Sequence, residues 1–263
     1  MGLAIPQVIT NRSGAQIIDG SLKFDAGKTQ HLTRTPSTDG NKRTWTWSGW
    51  VKPAAGALGD ASGSALFAAY SDSNYRDVLR FGGTSTDRVN FQHRRNGTNY
   101  GGYTNAKLRD YGGSGWYHIV LVWNDAATIY VNGVEQSLSA EAGGLTDANN
   151  GQINNDRIHY IGARSSSGSA EAAWDGQISQ VNFVDGQALG PEYFGFTDPL
   201  TNTWKPKKFD ISETSSGSWG TNGFYLPMDG NSPIGKDQSG NGNDWTPVNF
   251  GGSVELDSPL VTG

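Results

Sequence analysis

The chain has no cysteine among its 263 residues. This excludes disulfide frameworks, thiolate metal sites and thiol nucleophiles, and leaves redox chemistry silent on compartment. Charge is also scarce: Asp, Glu, Lys and Arg make up 17% of the chain, against roughly a quarter in soluble domains. The balance is acidic, 25 residues against 20 for a net −5, which argues against a general nucleic-acid surface because phosphate binding needs a concentrated excess of Lys and Arg. The basic runs are short: Arg94-Arg95 precedes an Asn-Gly turn, and Lys205 to Lys208 is interrupted by Pro206. No stretch approaches the ~18 apolar residues of a membrane span, and Met1 to Gly14 lacks a basic start followed by an apolar core. We therefore expect a soluble protein without membrane insertion or a secretory signal. Walker, GxSxG, HExxH and strand-to-helix GxGxxG patterns are missing as well.

Glycine (37) and aromatics (9 Trp, 10 Tyr, 10 Phe) are abundant instead, a mix that suits many tight turns between short, well-packed strands and is too aromatic for a disordered chain. Alternation with a period of two recurs, while helical periodicity is confined to Pro191–Phe194. In Thr44–Ser48 the two tryptophans share one face and the hydroxyls the other. Trp50 then falls on the hydroxyl side, so a bulge is expected at Gly49. In "GWYHIVLVWNDAATIYVNG" (Gly115–Gly133) we expect a strand over Trp116–Trp123, a turn over Asn124–Ala127 and a return strand over Thr128–Val131. Asn132-Gly133 then supplies the positive φ angles of a type I′ turn. Both faces of the first strand are apolar: Tyr117, Ile119, Leu121 and Trp123 on one, Trp116, His118, Val120 and Val122 on the other. Such a strand belongs inside a sandwich, as wall rather than active site. Further strands are expected at Ser21–Phe24, Ala65–Tyr70, Val78–Phe81, Arg88–Arg95, Ile158–Ile161, Trp174–Val184 and Phe224–Met228. About a dozen short strands between Gly-rich turns predict an all-β sandwich of jelly-roll type.

Four stretches resemble the concanavalin A-like, laminin-G-like jelly roll, in the variant found in bacteriophage virion structural and fibre proteins. They are "SLKFDAGKTQHLTRTPS", "TWTWSGWVKP", the Gly115–Gly133 hairpin, and "IHYIGARSSSGSAEAAWDGQISQVNFVDGQALGPEYFG", which together cover about Ser21 to Gly195. The resemblance implies two antiparallel sheets and a non-enzymatic part of a virion, in a tail, fibre or head decoration. Its partners would be other virion proteins, copies of itself as a homo-oligomer, and cell-surface glycans. The alternative is a carbohydrate-binding lectin module of a glycan-degrading system. We divide the chain into an attachment arm (1–20), a jelly-roll core (21–196), a crossing segment (197–223) and a carboxy-terminal part (224–263). That last part either completes the same sandwich or begins a second unit, and the arm either folds back or adds a strand to a neighbouring sheet.

No catalytic residues are assigned. The closest carboxylate pairs, Glu255 with Asp257 and Glu171 with Asp175, lack the alternating acidic pattern of the related glucanases and read as surface acids. His31, His93, His118 and His159 are far apart. No cofactor is required, but Asp237, Ser239, Asn241 and Asp244 form an EF-hand-like loop that leaves a calcium reading open. Val248 at the twelfth place excludes a true EF-hand. Ligand binding is placed on two tyrosine-rich turns, Asn74, Tyr75 and Arg76, and Arg95, Asn99, Tyr100, Tyr103 and Asn105. Aromatic rings there can stack on sugars while amides and guanidinium groups take hydroxyls, and the same composition suits a protein interface.

Overall fold

The computed structural model describes residues 16–59, 64–83, 86–108 and 115–250, and the backbone of Val254–Glu255. Residues 1–15 of the arm and Asp257 lie outside the described residues. Two antiparallel sheets face one another. The first runs β10 (Val134–Glu135), β9 (Ala127–Val131), β8 (Tyr117–Asn124), β3 (Thr44–Pro53), β15 (Gly176–Asp185), β1 (Ser21–Phe24) and β20 (Val254–Glu255), with β18 (Phe224–Leu226) also pairing β15. The second runs β11 (Leu138–Ala140), β7 (Thr98–Thr104), β6 (Val89–Arg95), β5 (Tyr75–Phe81), β4 (Ser64–Asp72), β12 (Ile158–Ile161), β2 (His31–Arg34) and β19 (Thr246–Val248). Two small ribbons are attached, β13 (Arg164–Ser165) with β14 (Ala170–Glu171), and β16 (Gly195–Thr197) with β17 (Trp204–Pro206).

The expected all-β sandwich is thus observed, and the period-two faces explain it. Trp45, Trp47 and Val51 of β3 enter the core with Tyr117, Ile119, Leu121 and Trp123 of β8, meeting Phe67, Leu79 and Phe91 from the second sheet. Trp45 meets Phe91 edge-on at 5.7 Å and Trp47 stacks on Phe67 at 6.3 Å, so the sheets interdigitate through rings.

Gly49 is not a bulge. β3 pairs with β8 in unbroken register from Thr44 opposite Asn124 to Val51 opposite Tyr117. A Cβ at Gly49 would lie 2.6 Å from the Trp47 ring, so the glycine makes room for that indole within a regular strand. The irregularity is on β15 instead, between Ser179 and Asn182, where Gln180 has φ 54°. Below it β15 pairs with β1, and above it with β18.

Trp50 needs no bulge because the outer face of the first sheet is itself covered. Val120, Val122 and Val184 on that face pack with Leu189 and Phe194, and behind these with Phe209, Ile211 and Trp219. The chain from about residue 187 to 222 is a lid on the sheet. Besides the turn at Pro191–Tyr193, the described residues contain three more 3-10 turns, at Ala26–Lys28, Ala57–Gly59 and Ile211–Glu213. The first and last of these start on an Asx cap, at Asp25 and Asp210, a signal too short to register as periodicity. No described helix is long and apolar enough to cross a membrane.

Candidate functional site

The two tyrosine-rich turns lie side by side, with the Gly97 amide donating to the Asn74 carbonyl at 3.3 Å, but their residues are divided between the two faces of the sheet. Asn74 and Tyr75 sit at the β4–β5 turn, where Tyr75 donates its hydroxyl to Asn96. Strand parity then separates the others. Arg76, Asn99 and Tyr103 point outward from the second sheet, whereas Tyr100 lies opposite the buried His93 with its ring over Gly143. Arg95 lies 3.6 Å from Asp147, and Asn105, beyond the end of β7, accepts from Ser139 Oγ at 2.6 Å.

The histidines are structural. His118 is fully buried and stacks between Trp50 at 4.9 Å and Trp204 at 5.9 Å. The indole N–H of Trp204 donates to Nδ1 at 3.0 Å, and an indole can only donate. Nε2 therefore carries the proton and donates to Ser48 Oγ at 2.9 Å. Burial drives its pKa down to about 3, so the ring is neutral, with no acid beside it. His159 is likewise neutral: Nδ1 donates to the Arg157 carbonyl at 2.7 Å and Nε2 accepts from Asn154 N–H at 2.9 Å, and burial lowers its pKa to about 4. His31 donates from Nδ1 to the Thr29 carbonyl at 2.6 Å. His93 differs, held between Asp77 at 2.7 Å and Asp147 at 3.3 Å. Burial opposes its charge, but the two carboxylates outweigh burial and raise its pKa. Glu171 accepts from Arg164 and Ser166.

The Asp237 loop comes together as a hydrogen-bonded knot. Tyr225 and Ser239 amides donate to Asp237 Oδ1 at 2.9 and 2.8 Å, and Ser239 Oγ and the Asn243 amide donate to Oδ2 at 2.9 and 2.8 Å. Asn241 spends its side-chain amide on the Gly220 and Gly223 carbonyls, and Asp244 pairs with Lys236 at 2.8 Å. Calcium needs six to eight free oxygens, and a loop whose carboxylate is saturated by N–H and O–H donors does not fit one. No cluster of three or more His, Asp or Glu positioned for a metal occurs among the described residues.

A cleft unforeseen from the sequence opens on the outer side of the first sheet, beyond Trp50. Its volume is about 510 Å³ and its walls are Trp50, Trp116 and Trp204, with Asn132, Asn202 and Thr203 at the rim. The size falls within the few hundred to a thousand Å³ usual for ligand sites. Trp204 is positioned by two glycines: a Cβ at Gly133 or at Gly195 would lie 2.4 Å from its ring. Gly133, at φ 79° in the Asn132-Gly133 turn, thus both reverses the chain and forms the floor beneath an indole. The β16–β17 tip is braced by an Asp198–Lys205 ion pair at 2.7 Å, which with the Leu200 amide lowers the Asp198 pKa to about 2. Val134 lines the cleft at 62% exposure, and Leu200 at the same tip reaches 93%. These three tryptophans come from three distant segments, so only the pairing of β3 with β8 and the return of the lid bring them together.

An antiparallel two-sheet sandwich with an open aromatic cleft is the frame of a lectin-type jelly roll. Residues 13–192 match the family model described as the Concanavalin A-like lectin/glucanases superfamily, and the chain belongs to that superfamily. Comparison with curated proteins returned no match. Among solved structures, a candidate carbohydrate binding protein from Bacteroides ovatus ATCC 8483 superposes with TM-score 0.56 at 16% identity, covering 94% of this chain and 62% of that one. Domain 4 of AbnA, a GH43 extracellular arabinanase from Geobacillus stearothermophilus solved with arabinotriose, gives TM-score 0.49 at 21% identity, over 67% and 77% of the two chains. At such identities the likeness shows the fold. The chain spans under two thirds of the Bacteroides protein.

Proposed function

We propose that the protein is a non-enzymatic carbohydrate-binding module whose ligand lies in the tryptophan cleft. The observation that carries this reading is the triad of Trp50, Trp116 and Trp204 with amide and hydroxyl groups at its rim. The partly exposed indoles of Trp116 and Trp204 stack on the apolar faces of sugar rings, Trp50, 5% exposed and stacked on His118, backs them, and Asn132, Asn202 and Thr203 supply directed hydrogen bonds. Exposed Val134 extends the apolar lip. Support for a non-enzymatic role is the engagement of His118, which stacks between two of the cleft's indoles, by Ser48 and Trp204. Titration calorimetry against a panel of neutral oligosaccharides tests the proposal. Binding that Trp116→Ala weakens about tenfold, with unchanged stability, is expected; no binding across the panel, or binding indifferent to Trp116 and Asn202, would overturn it. The virion role implied by the sequence resemblance adds an attachment arm to the same module. Co-purification with phage particles, lost on deleting residues 1–20, is its measurement.

A further inference from the structure

The outer face of the second sheet is covered in part by the β13–β14 ribbon, over Ala65, Val78 and Tyr160, and beside this cover it carries an arginine cluster in which Arg76, Arg94 and Asn99 stay partly exposed. Strand register places Arg76 directly opposite Arg94, with Asn99 beside Arg94. Arg80 lies four residues along the same face, opposite Asn90. The β13–β14 ribbon packs on β4 and brings Arg164 to the group, close enough to lower the pKa of both Arg76 and Arg80, behind burial as the first cause. Like charges directly opposite in a sheet are destabilising, and Glu171 near Arg76 and Glu141 near Arg80 offset this only in part, without a direct ion pair to either. Among the described residues no carboxylate lies within ion-pair distance of Arg76, Arg80 or Arg94. Arg76 reaches only the Ser73 carbonyl, at 3.4 Å; Arg94 reaches Ser73 and Asn99; Arg80 donates to Asn90 at 2.9 Å. Arg164 pairs with Glu171. Two guanidinium nitrogens, Nε of Arg76 and of Arg164, are buried without an acceptor, and Oε1 of Gln92, 4% exposed between the Arg94 and Asn90 positions, has no donor. Unmet donors around a surplus of positive charge call for an acceptor-rich anion, and an unmet acceptor beside them calls for a hydroxyl.

We infer that this face binds an anionic polysaccharide, with Arg76, Arg94 and Arg164 taking its carboxylate or sulfate groups and Gln92 and Asn99 its hydroxyls. It is a second site, on the sheet opposite the tryptophan cleft, and does not depend on it. A saccharide is favoured over nucleic acid because the surplus is local, on a chain of net charge −5, and has amides interleaved with it. Affinity electrophoresis of the whole chain through gels containing polygalacturonate, dextran sulfate or neutral dextran tests the inference. Retardation by at least one polyanion that depends on the arginines is expected, any retardation by dextran being indifferent to them, and the stronger of the two polyanions identifies the group recognised. Arg76→Gln/Arg94→Gln should weaken it at least about tenfold. The paired Lys variant should recover part of the loss, and Trp116→Ala should leave it unchanged. Arg164→Gln, on the ribbon rather than the sheet, gives a second reading if the double variant does not fold. No retardation of the wild type by either polyanion, retardation undiminished in the Gln variants, or equal arginine-dependent binding to polyuridylate overturns the inference.

Discussion

Replacing Asp237 by Asn separates a hydrogen-bonded knot from an ion site. The carboxylate is 5% exposed and accepts four donors, two on each oxygen. Asparagine keeps one oxygen and turns an NH₂ towards the other pair. The Ser239 hydroxyl can rotate and accept from it, but the Asn243 amide is left facing a donor. One orphaned amide costs about 1–3 kcal/mol, and the remaining bonds lose their charge assistance, so the total is on the order of 2–4 kcal/mol. For a domain of this size that is a melting-temperature drop of roughly 5–15 °C. Urea midpoints of wild type and Asp237→Asn, each in EDTA and in calcium, make the comparison. The wild-type midpoints should coincide, and the variant should be lowered equally in both. The reasoning fails if the variant loses less than about 1 kcal/mol, or if chelation alone destabilises the wild type.

Other outcomes follow from the same geometry. Gly133→Ala forces a side chain into φ 79° and against the Trp204 ring. It should cost about 1–2 kcal/mol and weaken oligosaccharide binding, read by thermal melts and calorimetry together. Gly49→Ala drives a Cβ to within 2.6 Å of Trp47, and a loss of about 1–3 kcal/mol in urea unfolding is expected. Stability should peak near neutral pH. His93, with a raised folded pKa, contributes fully below its ordinary value of about 6.5, and that contribution fades as pH rises through the folded value. His118 and His159, lowered to about 3 and about 4, take up protons on unfolding as pH falls below about 6.5, so the acid side declines too. Urea midpoints from pH 4 to 9 in wild type and His93→Gln should lose only the alkaline slope; a slope identical in both would refute the assignment.

The β8–β9–β10 meander was legible because its apolar residues alternate and Asn132-Gly133, between β9 and β10, has a chemistry that tight turns demand. The glucanase-like acidic pattern was legibly missing. The misreading of Gly49 has a physical root: Trp50 on the hydroxyl-bearing face looked like broken parity only because that face was taken to meet water. Nothing in the Pro- and Lys-rich run around Trp204 announces a lid, since the sheet residues it covers, such as Gly133 and His118, lie more than seventy positions away. For the same reason the cleft was invisible, its walls being supplied by Trp50, Trp116 and Trp204. The arginine row escaped notice because Arg76 and Arg94 become neighbours only through register, whereas reading along the chain joined Arg95 to Tyr100, which parity sends inward.

The first and last strands of the first sheet have a mechanical consequence. Ser21 at the start of β1 is register partner to Glu255 of β20, so these two points lie side by side on one margin of the sheet. Force applied between those two points would peel β20 from β1 one ladder rung at a time, leaving the ring-filled interior and both outer faces undisturbed until the margin has opened.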